Sequence, residues 1–392
     1  MDDEQKFFLP KPVSEREPKR REESQLGTHG QNIAKGNLRP RVTIKDLAEA
    51  LGVTKGTVSR ALNDYPDIAP ATRKRIQRQA DRMGYRPLAQ AQAIRTGRSQ
   101  AIGLVIQTDI QGAQRPFLAN FLEGVTRAAS AEGWTLTVAT AAGEEEMVRT
   151  LGRLIDERKA DGFILPRTYT DDARMHFLRE AGVPFVLYGR VPDPEGCAWF
   201  DIRGEKAMQS ATERLAALGH TRIAFVNGGS EYNFAGLRYA GYQAGLEAAG
   251  IAFDEGLVRS GAMLQEQGAS AATSLMAMDH PPTAIVYAVD AAALGAYDAA
   301  ERLGLEIGSD LSVIGYDGIP ECRWVRPPLT TFSVDSCEAG ARLSALLIAL
   351  VRGSSVETLR ETRDAKLQIG GSDGPPRLTS EALAEKLAAS AA

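Results

Sequence analysis

From Ala101 onward, short apolar runs alternate with stretches of helical period, and this alternation limits the fold more than any other feature of the chain. Strand-like runs fall at 102–106, 136–139, 162–165, 185–188, 223–226, 284–287 and 311–314. Helical stretches fall at 118–130, 145–158, 206–218, 237–249, 268–278, 291–302 and 338–351. Strand, helix, strand repeated this often predicts parallel sheets covered by helices on both faces. Roughly 265 residues strain a single core, so two doubly wound lobes are expected, with a ligand crevice beyond the carboxyl ends of the strands.

Ahead of this body, residues 42–63 read VTIKDLAEALGVTKGTVSRALN. Thr43 followed three residues later by Asp46 forms a capping-box pattern, which starts a helix running to about Ala50. Leu47 and Leu51 are four apart, as are Val58 and Leu62, so each half presents one apolar stripe. Gly52 permits a positive φ at the corner, and Thr54 can cap a second helix through Ala61. The pattern is a helix-turn-helix; from these residues alone, the competing reading is an ordinary αα-hairpin in a helical bundle. Pro70 then opens a third helix, ATRKRIQRQADRM, with Ile76, Ala80 and Met83 on one face.

Charge separates these readings. Residues 39–98 hold 13 Lys and Arg against 5 Asp and Glu, a net of +8, while residues 1–38 hold 7 of each. The remainder holds 26 against 38, a net of -12. A basic module on an acidic body is the footprint of a chain that touches polyanion with one end. The stretch 1–39 is polar, mixed in sign and without period, which predicts a disordered extension. Residues 86–99 are too short and too weakly apolar for an independent helix; they read as a linker or as a segment that folds against a partner.

Other classes lose support. No apolar run nears the roughly 18 residues needed to span a bilayer, and the first residues lack a signal core, so a cytoplasmic chain is expected. Cys197, Cys322 and Cys337 stand at no metal spacing, and the four histidines are dispersed, so no metal or other cofactor is expected. Phosphate-loop, dinucleotide, nucleophile-elbow and zinc-protease motifs are all missing, which leaves catalysis without candidate residues. The expectation is a non-enzyme.

The motifs VTIKDLAEALGV…TVSRALN, ATRKRIQ…MGYRP, IRTGRSQAIGLV, LGHTRIAFVNG, LRYAGY, SVIGYD and RPPLTTF occur in this order. In them the chain resembles the lactose/galactose repressor (LacI/GalR-type) family of bacterial transcription regulators over about residues 41–370. The resemblance implies a headpiece at 40–85, a hinge at 86–99 and a two-lobed periplasmic-binding-protein-like core at 100–370, which leaves the disordered extension at 1–39 and a weakly patterned tail at 371–392. It also implies a dimer or tetramer on a near-palindromic double-stranded operator, released or recruited by a small effector, with a sugar-binding protein lacking regulatory DNA binding as the alternative.

By the same resemblance, Thr43, Thr54, Lys55, Gly56, Thr57, Ser59, Arg60 and Asn63 are candidate DNA contacts. Gly56 stands where longer side chains are common, which shifts base readout toward Lys55 and Arg60. Ile94 takes the place of the hinge leucine that wedges into the minor groove. For the effector, the family pattern points to Arg238 and Asp317, whose fork of donors and bidentate acceptor suit vicinal hydroxyls. Asp290 follows Val289 where an Asn-Asp pair is usual, Met263 replaces an aromatic stacking residue, and Phe117 is expected to face the cleft. The segments DGFILPRTYTDDARM and VPFVLYGR resemble a carbohydrate-uptake subgroup and add Arg167 and Arg190. These arginines leave a phosphorylated or acidic effector open.

Overall fold

The computed structural model describes residues 42–86, 97–108 and 115–391. They form two compact units that divide at Leu88 and Ala89.

The first unit holds three helices, α1 (Ile44–Leu51), α2 (Lys55–Leu62) and α3 (Pro70–Met83). Thr43 and Asp46 close a reciprocal capping box, with the Thr43 amide donating to Asp46 Oδ2 at 2.8 Å. Gly52 ends α1 at φ 66°, the left-handed conformation that a side chain would penalise. Thr54 caps α2 by accepting from the Thr57 amide at 3.1 Å. The apolar stripes converge on one small core of Leu47, Ala48, Val58, Ala61, Ile76 and Ala80, with Met83 packed against it. The helix-turn-helix expectation therefore holds in type, order and packing.

The second unit contains two six-stranded sheets. Sheet one has the order β11-β5-β4-β3-β1-β2 and is parallel throughout. Its strands are β1 (Ala101–Gln107), β2 (Thr135–Ala141), β3 (Gly162–Pro166), β4 (Phe185–Tyr188), β5 (Ala198–Ile202) and β11 (Arg360–Arg363). Helices α4 (Arg115–Ala131), α5 (Glu144–Asp156) and α6 (Ala173–Glu180) follow β1, β2 and β3. Sheet two, of order β12-β10-β9-β8-β6-β7, is parallel except where β12 runs against β10. It is built from β6 (Ile223–Val226), β7 (Val258–Arg259), β8 (Ala284–Tyr287), β9 (Ser312–Asp317), β10 (Thr330–Ser333) and β12 (Lys366–Gln368). Around it lie α7 (Gly204–Ala217), α8 (Asn233–Ala248), α9 (Gln265–Met276) and α10 (Asp290–Leu303). Within each lobe, most successive strands are joined through a helix on a sheet face, with β4–β5 and β9–β10 the exceptions, and strands as apolar as β6 and β8 are buried along their whole length.

The chain passes between the lobes three times: from β5 into α7, from β10 into α11 (Ser336–Val351), and from β11 into β12. Asp364 ties two of these passages together, accepting from Arg203 Nε at 2.7 Å and Lys206 Nζ at 2.8 Å. Within the lobes, β5, β7, β10, β11, β12 and α6 go beyond the runs and helical stretches read from the sequence, being too short or too polar to stand out. The stretch set apart as a tail at 371–392 belongs to the second lobe. Ser372 is buried and donates to the Val313 carbonyl at 2.6 Å, Asp373 pairs with Arg214 at 2.6 Å, and Leu383 of α12 (Ser380–Ala391) is fully buried. Among the described residues, no helix is long and apolar enough to cross a membrane, and no cluster of ligating side chains could hold a metal.

Candidate functional site

In the first unit, α2 carries the residues expected to touch DNA. Lys55 and Gly56 are exposed in its first turn, where backbone N–H groups and small side chains leave room for a groove. Thr54 and Thr57 hydroxyls share a 2.9 Å hydrogen bond at the N-terminus. Arg60, in the last turn, is not an unoccupied cation: its Nη2 meets Asp67 Oδ2 at 2.6 Å. Asn63 caps the helix, its Nδ2 donating to the Ser59 carbonyl at 2.7 Å. Thr43 is likewise engaged as the cap of α1. Ile94 lies outside the described residues.

In the second unit, the carboxyl ends of β3, β4, β5 and β9 and the first turns of α7 and α8 enclose a cavity of about 140 Å³ between the lobes. That is roughly ten times the minimum that holds one water. Arg167, Arg190, Arg238, Met263 and Asp317 all line it. Arg238 projects from α8 with its guanidinium between two rings, 4.4 Å from the Phe234 centroid and 3.9 Å from that of Tyr316, while Nη1 donates to the Ala288 carbonyl. Such sandwiching fixes the plane of the fork. Gly241, one turn on, lets α8 approach α7 closely: a Cβ there would fall 2.0 Å from the Glu205 carbonyl oxygen. Arg190, just after β4, donates from Nε to Asp201 Oδ2 at 2.7 Å and from Nη2 to Glu205 Oε1 at 2.5 Å. It therefore connects one lobe to the first turn of α7 in the other.

Asp317 ends β9 at φ 129°. Desolvation raises its carboxyl to about 7, against the opposing pull of Arg238 and Arg167. Asp201 is also shifted upward, because burial outweighs its bond to Arg190. Arg167, held at φ 51°, is supported through its carbonyl by Arg174 Nη2 at 3.1 Å. Arg174 in turn forms a fully enclosed ion pair with Asp172, at 2.6 Å, with the two side chains 4 % and 0 % exposed.

Asp290 requires a correction. It does not line the cavity; its carboxylate is wholly buried. There it accepts the Gly318 amide at 2.6 Å, the Ile319 amide at 3.2 Å and the Thr331 hydroxyl at 2.8 Å, and Cys322 Sγ lies 3.2 Å away. Its place is that of an anchor for the loop after Asp317. Phe117 lies in α4, and its side chain is outside the description.

The cavity also contains residues that sequence reasoning missed, among them Tyr188, Asp201, Asn233, Phe234 and Tyr316. Phe234 was within reach, being four residues before Arg238 and so on the same helical face. It sits beside Met263, as both crowd Gly228, and supplies the aromatic surface that Met263 lacks. At the cavity edge the lobes meet directly. The Thr170 amide donates to the Glu231 carbonyl at 2.9 Å, the Asn233 amide donates to the Thr168 carbonyl at 3.0 Å, and Tyr169 stacks on Tyr232 at 5.1 Å.

Comparison with known proteins gives the same two-part division. Residues 43–87 match the family described as bacterial regulatory proteins, lacI family, and residues 99–370 match periplasmic binding proteins and sugar binding domain of LacI family. The HTH-type transcriptional regulator AglR of Rhizobium meliloti (strain 1021) is 33% identical over 346 residues, covering 85% of this chain and 95% of that one. Among solved structures, the transcriptional regulator CelR–cellobiose complex is 30% identical with a TM-score of 0.66, covering 85% of this chain and all of that one (100%). The lac repressor dimer bound to operator and anti-inducer is 25% identical with a TM-score of 0.71, covering 85% and 99%. The match over the headpiece removes the reading of a sugar-binding protein without DNA binding.

Proposed function

Because the chain belongs to the LacI family of bacterial transcription regulators, we propose that it represses carbohydrate genes and that its cleft takes an uncharged saccharide. One observation carries the choice of ligand: the cleft arginines share their cavity with carboxylates. Arg190 is held by Asp201 and Glu205, while Arg238 and Arg167 both act on Asp317. A phosphate dianion entering this set would compete with the acids for those donors and meet their repulsion. Neutral hydroxyls can instead accept from the forks and donate to Asp201 and Asp317, with Phe234, Tyr188 and Tyr316 offering apolar surface to a ring face. The cellobiose held by the related CelR structure supports this class.

On the DNA side, Thr54, Lys55, Gly56 and Arg60 face a major groove, Thr57 and Ser59 stand near the backbone, Thr43 and Asn63 are further DNA contacts, and Ile94 of the 86–99 hinge serves as a minor-groove wedge. Two copies on a near-palindrome bring two such sets to the operator. Saccharide binding alters the lobe arrangement and lowers operator affinity, and a shift of a few kcal/mol suffices to empty most sites.

Thermal unfolding with neutral mono- and disaccharides, polyols and sugar phosphates tests the ligand class. A neutral sugar at 100 times its Kd adds about 2.7 kcal/mol of stability. Stabilisation by phosphorylated sugars alone would overturn the assignment. A mobility-shift titration with the active saccharide then tests release; unchanged affinity for a near-palindromic duplex would overturn the regulatory step.

A further inference from the structure

We propose that Asp67 is a positioning residue for base recognition: together with Tyr65 it holds the Arg60 guanidinium in one orientation on the DNA-reading face. The inference rests on the reading that Arg60 contacts a base.

The turn after α2 is built as a platform. Arg73 of α3 donates from Nη2 to the Tyr65 carbonyl at 2.8 Å and to the Ile68 carbonyl at 3.4 Å, and its Nε meets Asp64 at 3.3 Å. From the other side, the Tyr65 amide donates to the Arg60 carbonyl at 3.0 Å. The turn is thus tied to both helices. From it, Asp67 reaches Arg60 Nη2 at 2.6 Å, and the Tyr65 ring lies 5.5 Å under the guanidinium carbon. Ring and carboxylate together define the plane and the azimuth of the fork. A guanidinium carries five N–H donors, and this contact engages one nitrogen, so a bidentate edge can still be offered to a guanine.

An acid here needs a reason. The segment around it carries a net +8, and a carboxylate beside phosphates weakens general DNA affinity. Both partners are exposed, Arg60 by 53% and Asp67 by 44% of the side chain, so the pair adds little to stability. Its consequence is directional. If Arg60 swings to a phosphate, Asp67 is left unpaired next to polyanion, so the acid penalises the unspecific use of that arginine and favours the base-directed one.

The test uses the full-length protein and a duplex that it selects from a randomised pool, with every single-base substitution of that duplex measured. Arg60→Ala is expected to erase the preference at one base pair per half-site, a loss of roughly 5- to 150-fold in discrimination. Asp67→Asn is expected to weaken preference at that same base pair about 5-fold while raising affinity for a scrambled duplex, and Asp67→Glu to keep the preference. Tyr65→Ala, which leaves the carboxylate in place, should give a smaller loss at the same position. If Asp67→Asn changes all base pairs equally or none, the positioning role is overturned while the Arg60 reading stands. If Arg60→Ala leaves every preference intact, the Arg60 reading itself falls and the proposal falls with it.

Discussion

The headpiece and the effector cleft both rest on arginine–carboxylate pairs, yet the pairs differ in kind. Arg60–Asp67 is largely exposed, whereas Arg174–Asp172 is sealed and Arg190–Asp201 nearly so on the acid side, where Asp201 is 11% exposed. Water screens the first pair, so it adds little to stability while its one-nitrogen contact leaves the rest of the guanidinium for DNA. The buried pairs have no solvent to fall back on, and breaking one strands the other charge. Exposure thus suits a surface that must meet a partner from solvent, and enclosure suits a cavity that must keep its shape. Arg174 shows the second case: it does not itself line the cavity, yet its two Nη groups hold the Pro166 and Arg167 carbonyls at the cavity wall.

The largest expected effect tests that contrast. Arg174→Leu leaves Asp172 buried without its partner and should cost about 3–5 kcal/mol in urea denaturation, while Asp67→Asn should change stability by less than about 1 kcal/mol. Equal costs would erase the distinction between the two regions. Next comes Arg238→Ala. Losing a charged donor from the cleft should lower saccharide affinity by about 1.5–3 kcal/mol, or roughly 10- to 150-fold, with binding to the selected duplex unchanged. Isothermal titration with the active sugar and a parallel mobility shift separate the two; joint loss would mean that Arg238 supports the fold as a whole and not the ligand.

Acidity gives a third, smaller effect. Asp317 titrates near 7 in the folded chain, with Arg238, Arg167 and Asp290 acting on it. A carboxyl whose folded pKa is raised binds its proton more tightly in the native state, so its stabilising contribution is greatest below the ordinary value of 3.8 and falls as pH rises toward about 7. Ligand binding should move the other way: the anion, with acceptors for two hydroxyls, replaces the acid form above about 7. Saccharide affinity should therefore rise up to about tenfold from pH 6 to 8, and Asp317→Asn should flatten the profile. A flat profile in the unaltered chain would place the Asp317 carboxyl outside the ligand contacts.

The two regions also differ in how much of each was legible. The headpiece is local: the capping box, Gly52, Thr54 and the apolar stripes act over three or four residues, and the structure follows them closely. The parallel lobes were legible in class because buried strands such as β6 and β8 are uninterrupted apolar runs. The cleft was only partly so. Arg167, Arg190, Arg238, Met263 and Asp317 converge on it, but the partners that decide their behaviour come from elsewhere in the chain. Asp290 was misplaced because its ligands, the Gly318 amide and the Thr331 hydroxyl, lie 28 and 41 residues away. Asp201 was missed for the same reason, since no local pattern announces that a strand-end carboxylate will meet an arginine from the preceding strand.

The smallest effect concerns the place where the lobes touch. Tyr232 is buried between Tyr169 of the opposite lobe, at 5.1 Å, and Phe234, at 5.3 Å, and Phe234 packs on Arg238. Tyr232→Leu keeps an apolar group there and leaves the backbone bonds of 170 to 231 and 233 to 168 in place, but it removes two ring contacts worth about 0.5–1.5 kcal/mol each. Part of that loss should reach the ligand through Phe234 and Arg238, weakening saccharide affinity about 3- to 10-fold. Because the column crosses between lobes, the dissociation rate should rise more than the association rate falls. Stopped-flow binding of the active sugar distinguishes this from simple destabilisation, which would lower the melting temperature and leave the rates of the folded fraction unchanged. Such an outcome would limit the enclosed part of the cleft to its ion pairs and leave the aromatic column as packing alone.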